Sequence, residues 1–386
     1  MSVPLPGGFG LYLHWPFCQS KCPYCDFNSH VSATIDQGRW RAAYLSEIDR
    51  VGRETRGRLL ETVYFGGGTP SLMDPDVVGD IIARIRGTWP MVNDPEITLE
   101  ANPSSVEAGR FRAYAAAGVN RISMGVQALN DADLKRLGRL HTAREAMAAF
   151  DVAAGVFGRT SFDLIYARQD QSLADWADEL AAAIVWAGDH LSLYQLTIEP
   201  GTAFGDRHAK GGLRGLPGED LAADMYLKTN ELCHVAGLHP YEVSNYAQPG
   251  AESRHNLIYW RGGDYIGIGP GAHGRLTLDG QRYATETPLM PQAWLDRVQK
   301  QGSGEKSKVA LTPLEWGQEY LMMGLRTTEG ISIDRYSATS GGALDVGALA
   351  ELEGLGFLSL VNGALRTTPE GRLVLNGVLR RLMRAE

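Results

Sequence analysis

The amino-acid sequence predicts an α/β protein, a partial (β/α)6 barrel followed by a small winged-helix-like domain at the C-terminus. Short β-type runs alternate with longer helical segments between residues 9 and 236, and such repetition predicts a parallel sheet joined by right-handed crossovers. Cysteine, glycine-rich or polar residues lie near or just after the ends of five consecutive predicted strands. Since the carboxyl ends of strands converge at one rim of an α/β barrel, this placement favours a barrel over a doubly wound sheet, whose site would lie at one switch point.

Six predicted strands and six predicted helices make up the repeating region. The strands are Gly10–Trp15, Glu61–Phe65, Glu96–Glu100, Arg121–Val126, Ser161–Ile165 and His190–Leu196. The helices are Gln37–Arg53, Pro75–Ile85, Ser105–Ala117, Thr142–Ala154, Leu173–Ala187 and Glu219–Ala236. Asn130 can cap free backbone N–H groups and predicts the start of a further helix.

The alternation of strands and helices ends near residue 240, and the remainder divides into two parts. Glycine mixes with aromatic residues up to a polar segment, Gln299–Ser307, that is predicted to be a linker. From Leu311 onward, helices and a hairpin with Asn362-Gly363 at its turn predict the winged-helix-like domain, which is expected to serve in packing or docking. The expected domains are residues 1–240, 241–300 and 308–386.

Composition and charge describe an ordinary globular protein. The 386 residues are 44% hydrophobic and 21% charged, with a net charge of −8, which argues against a broad basic surface for nucleic acid. No apolar run approaches the ~20 residues of a membrane span, and the N-terminus lacks the pattern of an export signal. Because the chain has only four cysteines, three of them clustered, a reducing cytoplasm fits better than a disulfide framework.

Cys18, Cys22 and Cys25 follow the first predicted strand with the spacing Cys-x3-Cys-x2-Cys. Three thiols can bind three irons of a [4Fe–4S] cube, which ordinarily takes four cysteines, and so leave one iron open to a small molecule. This spacing is typical of radical S-adenosylmethionine (SAM) enzymes, in which the amine and carboxylate of SAM chelate the open iron. The alternative is a structural zinc site completed by His14 or His30, although zinc sites usually draw paired cysteines from separate segments.

Residues near or just after the ends of the later strands supply groups that could bind such a ligand. Gly66-Gly67-Gly68-Thr69 predicts a wall without side chains, along which backbone can approach the methionine amine closely. Glu100 is placed to accept hydrogen bonds from a ribose or an amine. Gln127, Arg139 and Asp163 offer an amide, a cation and a carboxylate to a second polar ligand.

Four sequence motifs carry a resemblance to a known family. They are Tyr12-Leu13-His14-Trp15-Pro16-Phe17-Cys18, Tyr64-Phe65-Gly66-Gly67-Gly68-Thr69-Pro70-Ser71, Ser123-Met124-Gly125-Val126-Gln127 and Phe162-Asp163-Leu164-Ile165-Tyr166. With them, the chain resembles the oxygen-independent coproporphyrinogen III oxidase family of radical SAM proteins over residues 9–380. The resemblance implies a radical SAM barrel, a [4Fe–4S] cluster on the three cysteines, and SAM. The residues that correspond to the first SAM site are Tyr12, Gly67 and Glu100. Those that correspond to a second SAM site are Tyr24, Gly68, Thr69, Gln127, Arg139 and Asp163.

Two features favour the branch of this family called HemW, whose members are described as haem chaperones. The oxidases carry a further cysteine two positions after the third, where this chain has Phe27, and a long N-terminal extension, whereas few residues here precede the first strand. In addition, His255-Asn256-Leu257-Ile258-Tyr259-Trp260 is similar to the His-Asn-x-x-Tyr-Trp motif associated with haem binding in HemW.

The motif at His255 predicts a haem ligand. An imidazole is a good axial ligand for haem iron, and Tyr259 and Trp260 can pack on a porphyrin face. The alternative for His255 is a core histidine hydrogen-bonded above two aromatic residues. Tyr246 and His273 are candidates for the same surface, and the alternative for both is loop packing.

One segment departs from the family. Where its members commonly continue from Leu-Ile-Tyr into Gly-Leu-Pro-Gly-Gln, this chain has Ala167-Arg168-Gln169-Asp170-Gln171. The loss of both glycines and the proline is expected to change this loop, and it weakens the assignment of a second SAM near Asp163.

The resemblance implies a cytoplasmic protein that binds a [4Fe–4S] cluster and SAM, takes up haem and delivers it to haemoproteins such as respiratory cytochromes. It leaves open whether SAM is cleaved, whether the protein meets the membrane surface and whether it forms a homodimer, and it assigns no catalytic residue. The alternative function is an oxygen-independent coproporphyrinogen III oxidase, a radical SAM oxidative decarboxylase. A structural zinc or docking protein is the third alternative.

Overall fold

Seven neighbouring parallel strands form the centre of the fold in this computed structural model, which describes residues 7–383. Six of them are the predicted strands, and the seventh, Asp264–Ile268, pairs with the first, Phe9–Trp15. Antiparallel strands extend the same sheet at both edges. In spatial order the strands are Ser307–Ala310, Gln281–Glu286, His273–Leu278, Asp264–Ile268, Phe9–Trp15, Leu60–Gly67, Met91–Ala101, Arg121–Gln127, Arg159–Tyr166, His190–Gln195, Asn245–Ala247 and His239–Pro240.

The parallel strands are buried because helices cover them. Six of the seven residues in Phe9–Trp15 are buried, as expected for a parallel strand packed on both faces. This confirms the predicted α/β class and the partial barrel. The helices that accompany the sheet are Gln37–Glu54, Pro75–Thr88, Ser105–Ala108, Phe111–Ala117, Asp131–Arg136, Ala143–Ala154, Leu173–Trp186, Ala203–Ala209, Glu219–Val235, Arg254–Trp260 and Pro291–Gln301, with a short 3-10 turn at Pro70–Leu72.

Local sequence explains where two of these helices begin or break. The helix expected after Asn130 is present, and the Asn130 side chain accepts a hydrogen bond from the Asp133 N–H at 2.9 Å. The predicted single helix Ser105–Ala117 is instead two helices, separated by Gly109 and Arg110. Glycine has a low helix propensity, which accounts for a break at this position.

Residues 264–310 join the sheet of the barrel. After the parallel strand Asp264–Ile268, the next strands add to it in antiparallel pairs. The helix Pro291–Gln301 packs on the first helix of the barrel, where Trp294 stacks on Trp40 with ring centroids 5.5 Å apart. The polar segment predicted at Gln299–Ser307 is shorter than expected, because the helix continues to Gln301 and a strand starts at Ser307.

The C-terminal region has a hydrophobic core of its own, built around Leu321, Leu325 and Leu365. The predicted hairpin is present: Asn362 and Gly363 both adopt positive φ angles, 50° and 76°, as a two-residue hairpin turn requires. The helices of this region are Pro313–Gly324, Ile333–Ser340, Val346–Gly354, Pro369–Leu373 and Leu375–Leu382. Its three strands form an antiparallel sheet, in which Ala364–Thr367 pairs with both Ile331–Ser332 and Leu358–Val361. They form the expected small winged-helix-like domain.

No helix within residues 7–383 has the length and apolar character needed to cross a lipid bilayer.

A buried ion cluster secures the start of the seventh parallel strand. The Asp264 carboxylate lies 2.7 Å from the guanidinium of Arg58 and 2.7 Å from that of Arg282. It also accepts a hydrogen bond from the Thr277 side chain at 2.9 Å. One carboxylate therefore ties together the loop before the second strand, the seventh strand and the antiparallel extension.

Replacement of this carboxylate is expected to be strongly destabilising. Asp264→Asn leaves two guanidinium groups without their counter-charge, and breaking a buried pair in this way costs about 3–5 kcal/mol. Asp80→Asn is the matched control, because Asp80 pairs with Arg41 but its side chain is 48% exposed, against 2% for Asp264, and exposed pairs contribute less than about 1 kcal/mol. Urea unfolding of both variants measures the difference, and equal losses would contradict the role given to Asp264.

Candidate iron–sulfur and SAM site at the strand ends

The three clustered cysteines lie on a loop that leaves the first parallel strand. Cys18 ends a short strand that pairs with His30–Val31, and the His30 N–H donates to the Pro16 carbonyl at 2.7 Å, which closes the loop at its base. All three thiols are free and partly exposed. Burial raises the pKa of the Cys18 and Cys25 thiols, and the neighbouring cysteines raise both further.

The surroundings of these thiols fit a [4Fe–4S] cluster. Within residues 7–383 no three His, Cys, Asp or Glu side chains converge on one metal ion, but each cysteine of a cube binds a different iron, so convergence on one point is not needed. Gly68 leaves space beside Cys18: a Cβ there would lie 3.0 Å from the Cys18 Sγ and 2.7 Å from the Phe17 carbonyl oxygen. When bound, such a cluster would supply an electron to SAM, which is the chemistry by which radical SAM enzymes split the sulfonium C–S bond.

A chain of hydrogen bonds connects two of the thiols. The Thr69 hydroxyl donates to the Cys18 Sγ at 3.4 Å, and the Asn102 amide donates to Thr69 at 3.2 Å. The Arg139 guanidinium completes the chain, with contacts of 2.8 Å to the Asn102 side-chain oxygen and 3.5 Å to the Cys22 Sγ. Asn102 is a site residue that sequence reasoning missed, although it lies two residues after Glu100 at the end of the same strand.

The residues predicted for the first SAM site lie together. The Glu100 carboxylate accepts a hydrogen bond from the Gly67 N–H at 3.1 Å and one from the Tyr64 hydroxyl at 2.8 Å. The Tyr12 ring stacks on Tyr64 with centroids 6.2 Å apart. Gly67 has φ +115°, and a Cβ there would lie 2.6 Å from the His14 ring, so this position needs glycine. Tyr64, which joins Tyr12 to Glu100, was not predicted as a site residue.

Two carboxyl groups at the strand ends have raised pKa values. Burial raises the pKa of Glu100 to about 7, and the charge of Asp163 adds to the effect. Burial also raises the pKa of Asp163 to about 7, although a hydrogen bond to Ser192 and the charge of Arg121 oppose it. Both groups therefore change protonation near neutral pH, so that they can hold a proton or accept hydrogen bonds from a cationic ligand.

The remaining residues predicted for a second SAM surround the hydrogen-bond chain. Gln127 ends its strand with φ 75°, a left-handed conformation that is uncommon outside glycine. The Arg139 guanidinium donates to the carbonyl of Gly125 at 2.8 Å. Tyr24 packs against Phe204 with ring centroids 6.5 Å apart, and burial raises the pKa of the Tyr24 hydroxyl.

The loop Ala167–Gln171, which departs from the family sequence, has positive φ angles at two positions without glycine. Ala167 and Asp170 stand where relatives commonly carry glycine, and both have φ 58°. The buried Arg168 between them pairs with Asp133 at 2.9 Å and with Glu179 at 2.5 Å. A left-handed conformation costs an L-residue about 1–2 kcal/mol, so this loop keeps its shape without glycine at an energetic cost.

His255 is fully buried in the short helix Arg254–Trp260. Its Nδ1 lies 2.7 Å from the Thr62 hydroxyl, and its Nε2 lies 2.6 Å from the Tyr259 hydroxyl. The ring stacks on Tyr64 with centroids 5.0 Å apart, and burial lowers its pKa to about 3. Both ring nitrogens are thus engaged by protein groups in this conformation.

The other two candidates for the haem surface lie apart from each other. Tyr246 is buried and donates to the Asn230 side chain at 3.1 Å. His273 is exposed at the start of the strand His273–Leu278.

Two family profiles match the chain. The radical SAM superfamily profile covers residues 12–182, which includes the cysteines and the strand ends described above, and the HemN C-terminal domain profile covers residues 311–374. The solved structure of the coproporphyrinogen III oxidase HemN from Escherichia coli superposes with a TM-score of 0.82 at 22% identity, over 97% of this chain and 90% of that chain. This likeness shows the fold.

Curated relatives match over nearly the whole chain. The heme chaperone HemW of Escherichia coli is 40% identical over 98% of this chain and 98% of its own length. The mitochondrial radical S-adenosyl methionine domain-containing protein 1 of Bos taurus is 38% identical over 98% of this chain and 89% of its own length. The chain therefore belongs to the HemW family within the radical SAM superfamily. Membership of that superfamily implies a [4Fe–4S] cluster and SAM.

Alanine substitution of each clustered cysteine tests the cluster ligands. After anaerobic reconstitution, the parent chain is expected to hold about four irons, and Cys18→Ala, Cys22→Ala and Cys25→Ala are each expected to lose most of them. Cys233→Ala is the control, because Cys233 is buried in a helix away from the loop. Iron and sulfide analysis measures the result, and full iron content in the three variants would refute the assignment.

The raised pKa values predict how stability depends on pH. The pKa of Glu100 is about 7 in the folded chain, against a reference value of 4.5. The folded chain therefore binds the Glu100 proton more tightly than the unfolded chain does, and the free energy of unfolding declines as the pH rises from 4.5 to about 7. At about pH 8, Glu100→Gln and Asp163→Asn are each expected to stabilise the apo chain by about 1–3 kcal/mol, since each pKa unit corresponds to about 1.4 kcal/mol. At about pH 5 the gain should be much smaller. Urea unfolding at both pH values measures it, and a gain independent of pH would contradict the assignment.

Proposed function

We propose that the protein is a haem chaperone, which binds haem and delivers it to haemoproteins such as respiratory cytochromes. The observation that carries the proposal is the full-length similarity to relatives named heme chaperone HemW. Phe27 supports it, because the oxidases of the wider family have a cysteine at that position.

The proposed cofactor sites are those built at the strand ends. Cys18, Cys22 and Cys25 would hold the cluster. Tyr12, Gly67 and Glu100 would bind the first SAM, and the contact between Glu100 and the Gly67 N–H supports this grouping. The residues proposed for a second SAM are Tyr24, Gly68, Thr69, Gln127, Arg139 and Asp163. The places of Thr69 and Arg139 in the hydrogen-bond chain between Cys18 and Cys22 support that proposal.

The role of His255 as a haem ligand stays a prediction, and it requires that one of the ring nitrogens lose its present hydrogen bond. Iron can reach this imidazole only if Thr62 or Tyr259 releases a ring nitrogen. The C-terminal domain holds the far end of the same helix, where Arg335 donates to the carbonyls of Arg261 and Gly262 at 2.6 and 3.0 Å. The C-terminal domain therefore contacts the chain directly after the helix that carries His255.

The cellular setting is proposed from the chemistry of the site. Partly exposed free thiols and an iron–sulfur cluster require a reducing compartment, so we place the protein in the cytoplasm. The haem acceptors would be respiratory proteins, which the protein would reach from the cytoplasmic side of the membrane.

Haem titration and a decarboxylation assay on one anaerobically reconstituted sample distinguish the two functions. A haem chaperone is expected to bind about one haem per chain, to pass it to an apo-cytochrome, and to leave coproporphyrinogen III unchanged when SAM and a reductant are supplied. The control is the Cys22→Ala variant, which is expected to lack the cluster. Haem binding that persists in this variant depends on the polypeptide alone, and haem binding that is lost depends on the cluster. Turnover of coproporphyrinogen III by the parent chain would establish the oxidase instead.

A further inference from the structure

Four large apolar side chains are exposed beside the cysteine loop. Their exposed fractions are 62% for Phe27, 59% for Val31, 61% for Leu289 and 59% for Met290. We call these four residues the loop patch. Exposed apolar residues are ordinary when scattered, but a group of them in one place commonly marks a binding surface.

Asn28 brings the two halves of the loop patch together. Its amide nitrogen donates to the Leu289 carbonyl at 2.8 Å and to the Pro270 carbonyl at 3.0 Å. Gly271 makes the approach close, because a Cβ there would lie 2.5 Å from the same amide nitrogen. The Gly271 N–H in turn donates to the Pro288 carbonyl at 2.9 Å. The loop patch is therefore a fixed surface formed by the cysteine loop and the segment after Pro288.

Two histidines border this surface. The Nε2 of His30 lies 3.1 Å from the Asn28 side-chain oxygen, so one nitrogen of that ring is already engaged. His273 is exposed, and neither of its ring nitrogens has a hydrogen-bond partner within residues 7–383. Burial lowers the pKa of His14, and the charges of His30 and His273 lower it further, so both histidines lie near this ring. His273 thus offers a free imidazole at the edge of the loop patch.

The backbone of His273 is closely packed in the sheet, whereas its side chain is exposed. Gly267 has no side chain, which allows the His273 backbone to pack directly against it. Glu286 lies directly opposite His273 in the antiparallel pair, on the same face of the sheet. No hydrogen bond joins these two side chains within residues 7–383, so the His273 ring is not held by Glu286 and can turn toward a ligand.

The surface also carries a cation for an acidic ligand. Lys21 is exposed on the cysteine loop, and its charge acts on the ring of His30. A free imidazole, an apolar surface and a nearby ammonium group are complementary to the iron, the macrocycle and the propionates of a haem. His255, in contrast, is fully buried with both nitrogens engaged.

We propose that haem binds at the loop patch, with His273 as the axial ligand of its iron. Phe27, Leu289 and Met290 would contact the porphyrin face, and Lys21 would pair with a propionate. The inference rests on the proposed haem-binding function and names the surface that performs it. It places the haem next to the loop that carries the cluster cysteines, where the folded chain offers a ligand without rearrangement.

Haem titration of single variants of the reconstituted full chain tests this assignment. His273→Ala is expected to weaken haem binding by at least about tenfold, the smaller end of what loss of a supporting metal contact causes, and to change the axial-ligand signature in electron paramagnetic resonance. His208→Ala is the matched control, because His208 is also exposed but lies on the helix Ala203–Ala209, and it is expected to match the parent. Leu289→Glu should weaken binding while leaving the axial-ligand signature unchanged.

The outcomes separate this inference from the proposed function. If the parent binds haem and His273→Ala binds it equally tightly with the same signature, the surface assignment is wrong and the haem-binding function stands. Loss of binding in His255→Ala together with unchanged binding in His273→Ala would move the ligand to the buried helix. A parent chain that binds no haem would overturn both proposals. Circular dichroism and iron content confirm that each variant is folded and loaded.

Discussion

The common direction of seven parallel strands is the constraint on which the site depends. Parallel strands joined by outer helices must all present their carboxyl ends at the same edge of the sheet. Cys18, Gly67, Glu100, Gln127 and Asp163 come from five different parts of the sequence, and each lies in or just after the carboxyl-terminal half of one of these strands. The sheet therefore assembles thiols, side-chain-free backbone and carboxyl groups without any single segment carrying the whole site.

The same arrangement of strands buries two carboxyl groups, and their ionisation there destabilises the folded chain. Glu100 and Asp163 have pKa values near 7 because they lie in the mouth of the barrel rather than in water, and the folded chain is less stable when both are ionised. Under the proposed function this arrangement has a use, since a desolvated carboxylate binds a cationic ligand more strongly than an exposed one does. The buried pairs of Asp264 with Arg58 and Arg282, by contrast, secure the scaffold.

Two contacts connect the site to the rest of the molecule. Asn28 ties the cysteine loop to the segment around Leu289, which fixes the exposed surface beside the cysteines. Tyr64 donates to Glu100 and stacks on His255, so a single side chain touches both the SAM-site carboxylate and the buried histidine. The proposed SAM region at the strand ends and the histidine motif are thus physically adjacent, although nearly 200 residues separate His255 from Thr62 in sequence.

The sequence by itself determined the alternation of strands and helices, the cysteine spacing and the glycine wall, because these depend on local pattern and on a few adjacent residues. It missed the seventh parallel strand, Asp264–Ile268, because this strand lies beyond the alternation of strands and helices, in a segment where glycine mixes with aromatic residues, and joins the parallel sheet by pairing with Phe9–Trp15. It could not assign Asn102 or Tyr64 to the site, because their roles come from partners on other strands. Only the tertiary structure decided that His255 is enclosed and His273 exposed, since burial is a property of packing between distant segments and leaves no mark in the local sequence of either histidine.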